Sequence, residues 1–264
     1  MSHSITVESG KSLKLKTAGK YCDRDIVVYA NGSTATFYGY SEITKNNILQ
    51  PLTKVSLPNA TILGIEVFEE CSNLTEIEAL NVVSLGELCF RFCTSLTNII
   101  MPQLEQTGFI SFGNCTSIEN INFPSLVYVG SHSFLGCSNL REINLPKCKD
   151  IGDNAFQDCV SLTRLDLPLV NYIAGQAFLN CTNLSAVIFR TTEEPCVVQV
   201  DSFLNTKIMD ENGMPTGQGF AYYPTSMDEA YRAVYEPAFA EMGMPGAFDY
   251  LFRKIEDYPE ITGG

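Results

Sequence analysis

Apolar residues recur along the middle of the chain with a period of 22 residues. Each copy carries a Phe, a Cys three residues later, a Leu or Ile three residues after the Cys, and a further aliphatic residue three positions on. The Phe column contains Phe68, Phe90, Phe112, Phe134, Phe156 and Phe178, and the Cys column contains Cys71, Cys93, Cys115, Cys137, Cys159 and Cys181. A fixed period of this length predicts a solenoid, whose stacked rungs bury their apolar residues against their neighbours.

Alternation within each copy predicts one short strand per rung. Ile77 and Ala79 fall on one face of such a strand, whereas Glu76 and Glu78 fall on the other. We therefore expect each strand to pair in parallel with the strand 22 residues later, at a spacing of about 4.8 Å. A second extended stretch is predicted in each rung, for example from about residue 151 to 156.

One copy states the repeat most cleanly, as I-G-x-x-A-F-x-x-C-x-x-L at Ile151, Gly152, Ala155, Phe156, Cys159 and Leu162. This pattern resembles the BspA-type leucine-rich repeat over about residues 55–189. The resemblance implies a mainly β repeat solenoid, a right-handed leucine-rich-repeat superhelix of 22-residue rungs. It also implies a bacterial or phage-associated protein that is often displayed on a surface and used for attachment, without implying one ligand.

The ends of the chain depart from the repeat and predict three regions. Residues 1–33 form a small N-terminal β module, and residues 34–189 form the solenoid, with a degenerate half-repeat at 34–54 and six repeats at 55–189. The string at residues 17–28 is similar to a module of phage and prophage tail-associated proteins of Gram-positive bacteria; a small β cap is the alternative. Residues 190–264 hold a degenerate last repeat and a C-terminal β/α cap.

The C-terminal region contains several local signals. Phe203 lies three residues beyond the position that the period predicts and indicates a last, shifted turn. Residues 221–224 predict a closing strand, and Ser226 with Glu229 predicts a capping box that opens a helix carrying Tyr231, Val234 and Tyr235. A second helical stretch is expected near residues 247–255, so the region reads as a C-terminal α-helical cap.

The charge is unevenly distributed. The chain has a formal charge of −13, but residues 1–54 carry seven basic and four acidic residues, and the remainder is strongly acidic. Because nucleic-acid affinity depends on Lys and Arg, we expect no nucleic-acid partner. No apolar run is long enough for a membrane span, and the start shows no signal peptide as written. We expect a virion, a prophage particle or the cell surface, and otherwise the cytoplasm.

The sequence offers no convincing cofactor, metal or catalytic site. The Cys column predicts buried, reduced thiols, because Cys behaves as a small apolar residue; Cys22, Cys89, Cys148 and Cys196 lie outside it and are candidates for accessible thiols. Only two histidines, His3 and His132, are present, and they are isolated. No cofactor or zinc cluster is therefore expected, and the chain is not expected to be an enzyme.

The outward face of the strands is the candidate binding face. Its residues form a regular polar grid: Glu76, Glu78, Asn98, Asn120, Asn122, Glu142, Asn144, Arg164 and Asp166. Ala186 and Ile188 continue the two columns, and the centre is expected around Asn120, Glu142, Asn144 and Arg164. The grid could bind a protein or a cell-surface glycan; alternatively, stacked Asn side chains only keep an exposed sheet soluble.

We therefore expect a non-catalytic attachment module that is surface- or phage-particle-associated. A secreted or cell-surface bacterial adhesin without a phage link is the alternative, and an accessory subunit or enzyme of unknown type is the second alternative. Homo-oligomers could form through the N-terminal module.

Overall fold

The computed structural model describes residues 3–6, 12–15, 26–29, 52–57 and 60–258. The strands are β1 (His3–Thr6), β2 (Ser12–Leu15), β3 (Ile26–Tyr29), β4 (Leu52–Ser56), β5 (Ile62–Leu63), β6 (Glu76–Glu78), β7 (Ser84–Leu85), β8 (Asn98–Ile100), β9 (Asn120–Asn122), β10 (Tyr128–Val129), β11 (Glu142–Asn144), β12 (Asp150–Ile151), β13 (Arg164–Leu167), β14 (Tyr172–Ile173), β15 (Ala186–Phe189), β16 (Val197–Val198), β17 (Phe220–Tyr223) and β18 (Phe252–Lys254). Two helices follow β17, namely α1 (Asp228–Glu241) and α2 (Phe248–Leu251).

The strand ladder is the set of parallel strands that carry the predicted binding face. In it Glu76 pairs with Asn98, Asn120 with Glu142, and Arg164 with Ala186, each 22 residues apart. The predicted β-solenoid with 22-residue rungs and a C-terminal helix is thus confirmed. The ladder is divided into three sheets, β1-β4-β6-β8, β9-β11 and β13-β15-β17-β18.

A second ladder runs along another wall of the rungs. It consists of two-residue strands, paired as β5-β7 and as β10-β12-β14-β16, with Gln106 joined to Ser84 and to Tyr128 by isolated bridges. The second extended stretch is therefore shorter than predicted: in its rung only Asp150–Ile151 is a strand, and turns follow.

Stacked Phe rings form the centre of the core. Neighbouring rings of the Phe column lie 5.1–5.4 Å apart and nearly parallel, and Phe203 continues the stack on Phe178 at 5.6 Å. The predicted shifted last turn at Phe203 is confirmed. The Leu and Ile residues three positions after the Cys column are fully buried beside the rings.

Each rung turns through residues with positive φ. One column contains Glu66, Leu88, Ile110, His132, Asn154 and Gln176, and most members of a second column are polar or Gly, for example Asn114, Gly136 and Asp158. A β-branched residue is a steric outlier in this region, so Ile110, with φ 52°, is strained.

The Cys column is buried, as predicted. The nine cysteines that the structure describes are all free and buried. From the second rung onward each column thiol donates a hydrogen bond at 3.0–3.2 Å to the carbonyl of the Phe 25 residues earlier, for example Cys137 to Phe112. The sulfur thus provides a donor as well as apolar volume.

The prediction that Cys89, Cys148 and Cys196 are accessible is wrong, because all three are fully buried. Cys89 precedes Phe90 at the position that Ala155 occupies before Phe156, where a small residue packs inside the rung. Burial raises the pKa of the Cys148 thiol to about 12. Cys22 lies outside the described residues.

The C-terminal region caps the last rung. Strand β17 pairs with β15 on one side and with β18 on the other, which confirms the closing strand. Helix α1 covers the edge strand β16: the Tyr235 hydroxyl accepts a hydrogen bond from the Val198 N–H at 2.8 Å and donates one to the Cys196 carbonyl. In the described part of the chain, no helix combines the length and the apolar character that a membrane span requires.

Two details of the cap differ from the prediction. The capping box is wrong, because a 3₁₀ turn at Thr225–Met227 precedes α1 and no side chain caps the helix. The Asp228 carboxylate instead accepts a hydrogen bond from the Tyr223 hydroxyl at 2.5 Å. The second helical stretch is only four residues long, since β18 and a 3₁₀ turn at Ile255–Asp257 follow it.

At the front, β1 pairs in parallel with β4, and β2 pairs with β3 as an antiparallel ribbon. Most of the predicted module at 1–33 and of the half-repeat at 34–54 lies outside the described residues, so these boundaries remain predictions, as does the boundary at residue 190.

Candidate functional site

A groove crosses the middle of the strand ladder. We define the strand-face groove by its lining residues, Thr97–Pro102, Asn120–Asn122, Pro124 and Glu142–Asn144, which enclose about 660 Å³. Five of the nine predicted face residues line it: Asn98, Asn120, Asn122, Glu142 and Asn144. The groove therefore lies on the middle three rungs of the predicted face.

The groove coincides with a break in the sheet. Strands β8 and β9 belong to different sheets, whereas the Phe90 and Phe112 rings of the same two rungs stay 5.2 Å apart. The rungs thus separate only on the strand side. The break also coincides with a larger interior residue: Phe123 follows β9 where Met101 follows β8, and its ring is buried 6.0 Å from the Phe112 ring.

Hydrogen bonds between rungs fix the side chains at the front of the face. Glu76 accepts hydrogen bonds from the Lys54 ammonium at 3.2 Å and from the Asn98 amide at 3.3 Å. These bonds hold the pKa of the Glu76 carboxyl below its ordinary value. Glu78 accepts a hydrogen bond from the Ser56 hydroxyl at 3.2 Å. Glu76 and Glu78 therefore flank the groove with their charges already engaged.

Inside the groove, two polar groups are free. Among the described residues, the exposed side chains of Asn120 and Glu142 have no hydrogen-bond partner. The Asn144 amide donates to the Asn122 carbonyl oxygen at 2.8 Å, which fixes both orientations and leaves a donor on Asn122 and an acceptor on Asn144. The groove thus presents amides and one carboxylate on adjacent strands.

Apolar side chains form the rest of the lining. Ile99 and Ile143 are half-buried, and Ile100 is exposed at an outward position of β8. The polar grid did not predict this apolar part, although Ile100 breaks the grid in the sequence and is a visible signal. A partner that binds here would cover apolar and polar surface together, as most binding pockets do.

The far end of the predicted face is occupied by the protein itself. Asp166 pairs with Arg190 at 2.7 Å and with Arg164 at 3.4 Å. The Arg164 guanidinium lies 5.2 Å from the centre of the Tyr258 ring. We placed Arg164 at the centre of the face, but it lies outside the groove lining, beside the C-terminal cap.

The expectation that Ala186 and Ile188 are exposed grid positions is wrong. Both are buried in a small cluster with Tyr222 and Tyr258. Their apolar character was the available signal, because outward positions of a solvent-exposed strand are usually polar. The cap thus covers the last rungs and leaves the face open over the front and middle rungs.

The geometry is suited to binding. Amides and a carboxylate can donate and accept hydrogen bonds to neutral polar groups. In the described part of the chain, no group of three or more His, Cys, Asp or Glu side chains is placed to hold a metal ion. His132 lies on another wall, half-buried against Phe109, and not in this groove.

Comparisons with known proteins agree with the architecture. The profile described as "BspA type Leucine rich repeat region" matches residues 36–159 and 105–214, in six copies. A leucine-rich cell surface protein from Faecalibacterium prausnitzii is 19% identical, with a TM-score of 0.55 over 85% of this chain and 64% of its own. A leucine-rich repeat protein from T. pallidum is 24% identical, with a TM-score of 0.49 over 61% of this chain and 82% of its own. No curated protein gave a significant match.

Proposed function

Since the chain belongs to the BspA-type leucine-rich repeat family, we propose that it is a non-catalytic attachment module that binds a protein or a cell-surface glycan. The strand-face groove is the binding site in this proposal. The observation that carries it is the pair of exposed side chains, Asn120 and Glu142, that have no partner among the described residues.

The surroundings of the two groups support this proposal. They lie on adjacent paired strands, in register with each other, and beside the exposed apolar side chain of Ile100. A central site with apolar floor and free polar groups is where binding energy tends to concentrate. The groove lining contains no Lys or Arg, so the proposed ligand is neutral or carries a cation toward Glu142.

The test is a double variant, Asn120→Ala with Glu142→Ala, compared with wild type on a glycan array and in pull-downs from bacterial and host cell surfaces. The matched control is Asn171→Ala with Glu193→Ala, which removes one exposed amide and one exposed carboxylate away from the groove. We expect the groove variant to lose binding and the control to keep it. Equal binding by the two folded variants would place the site elsewhere.

Display on a surface is part of the proposal. The family resemblance supports it, and the name of the F. prausnitzii protein points the same way. Placement on a phage tail or prophage particle is the finer alternative and rests on the string at residues 17–28 alone. Neighbouring tail and lysis genes would favour the particle, whereas sortase or secretion genes would favour the cell surface.

Self-association through the N-terminal module is a further alternative for attachment. The parallel pairing of β1 with β4 supports a role for the module in closing the front of the array rather than in joining chains. Light scattering of the full chain and of a chain lacking residues 1–33 would separate the two roles. Oligomers that disappear on deletion would support self-association, and monomers in both cases would exclude it.

A further inference from the structure

A second groove lies on the second ladder, on another wall of the same rungs. We call it the glycine groove; it has a volume of about 470 Å³, and Gly86, Gly108, Gly130, Gln106, Phe109 and Tyr128 are among its lining residues. It shares no residue with the strand-face groove. A ligand could therefore occupy it independently.

Stacked glycines form the floor of this groove. A Cβ atom on Gly108 would lie 2.4 Å from the Gly86 carbonyl oxygen, and one on Gly130 would lie 2.5 Å from the Thr107 carbonyl oxygen. The rungs can approach this closely only without side chains. The floor is consequently bare backbone between walls of larger side chains, so a flat ligand can reach it.

Two exposed aromatic rings line the groove. Phe109 is 43% exposed and Tyr128 is 42% exposed. The Phe109 ring is held by an edge contact with His132, with ring centres 5.3 Å apart. Ile65, on the rung before Gly86, is also strongly exposed. Exposed apolar side chains that cluster in one groove mark interaction sites more often than scattered ones do.

Oriented polar groups accompany the rings. The Gln106 amide donates to the Ser84 hydroxyl at 2.9 Å, which directs the amide and leaves its oxygen as an acceptor. Glu87 and Ser131 also line the groove. None of the lining residues is Lys or Arg, so the groove is unsuited to phosphate or sulfate.

We propose that the glycine groove is a binding site for a neutral saccharide. One apolar face of a pyranose ring packs on Tyr128 or Phe109, and its hydroxyls bond to Gln106, Glu87 and Ser84. Flat rings with one apolar face and a rim of hydroxyls match a groove that combines aromatic faces with amide, hydroxyl and carboxylate groups. The volume lies within the usual range for small-ligand sites.

The test is calorimetric titration of the full chain with four uncharged tetrasaccharides, namely chitotetraose, cellotetraose, xylotetraose and maltotetraose. We expect at least one to bind, and we expect Tyr128→Ala to weaken its binding by about tenfold or more, since one aromatic contact is worth on the order of 1.4 kcal/mol. Phe109→Leu, which keeps the apolar volume and removes the ring, should also weaken binding.

The matched control is Tyr172→Ala. Tyr172 occupies the same column two rungs later and is similarly exposed, but it lies outside the groove. It should bind like wild type, and so should the Asn120→Ala/Glu142→Ala variant of the strand-face groove. Failure of that variant on the glycan array thus leaves this site untouched, and the converse also holds.

Three results would overturn the inference. The first is no binding of any of the four probes at 10 mM or below, on the order of the weakest useful affinity. The second is binding that Tyr128→Ala and Phe109→Leu leave unchanged. The third is binding of a decaproline peptide at the same rings without saccharide binding, which would assign the groove to a peptide.

Discussion

Replacing Phe134 with alanine removes the middle ring of the Phe stack. The ring is fully buried and lies between Phe112 at 5.2 Å and Phe156 at 5.1 Å, with interplanar angles of 5°. Truncation of a buried Phe typically costs about 3–5 kcal/mol. Because two stacked contacts are lost together, we expect a loss near the upper end, about 4–5 kcal/mol.

Phe203 provides the comparison within the same stack. It is 4% exposed and contacts the column through Phe178 alone. With one stacked neighbour instead of two, Phe203→Ala should cost about 3 kcal/mol or less. Phe134→Leu is the control for volume: it fills most of the cavity, so its cost of about 1–2 kcal/mol isolates the ring stacking.

The assay is urea unfolding followed by far-ultraviolet circular dichroism. Free energies of unfolding and slopes of the transition are compared for wild type and the three variants. A mid-array break that uncouples the two halves would also lower the slope, because less surface is then exposed in each transition. Equal losses below about 1 kcal/mol at Phe134 and Phe203 would refute the role of the column as core.

Three further predictions concern the same framework. Titration of the native chain with a thiol reagent should report at most one fast-reacting group, Cys22, and ten after unfolding, because the nine described cysteines are buried; several fast groups would contradict that burial. Ile110→Asn should raise stability by about 0.5–1 kcal/mol in urea unfolding, because Asn tolerates the positive φ that Asn154 already adopts in the same column; a lower urea midpoint would show that packing of Ile110 outweighs its strain. Stability should fall as pH rises above 9, because the raised pKa of the buried Cys148 thiol, about 12, makes its contribution complete below the ordinary pKa of 9 and progressively lost toward 12. Cys148→Ala should remove about 1.4 kcal/mol per pH unit from that slope, and an unchanged slope would contradict this.

The repeat made the architecture predictable, because its residues specify contacts between rungs and not only within them. A Phe that recurs every 22 residues can be buried in only one way if each rung stacks on the last, and the rings do lie face to face. The same logic predicted which strand pairs with which. Register follows from periodicity, whereas the local spacing between strands does not.

The sheet breaks and the cap were not predictable from the columns. Ile99 and Ile121 occupy equivalent positions, yet their strands belong to different sheets, because the separation depends on how the larger Phe123 fills the rung interior. The cover over Ala186 and Ile188 depends on residues about 35–70 positions later in the chain. Such long-range packing has no periodic signature, although the apolar character of the two residues was visible.

The sulfur-to-carbonyl bonds have a consequence for how the protein can change in length. Cys137 bonds the Phe112 carbonyl across a rung boundary, and Cys159 bonds the Phe134 carbonyl in the same way at the next boundary. Equivalent boundaries make rungs interchangeable: duplicating or excising one 22-residue unit would join surfaces that already fit. An insertion of any other length would set Cys opposite the wrong carbonyl. Such an array can gain or lose reach in whole steps, by gene duplication, without redesign of its interior.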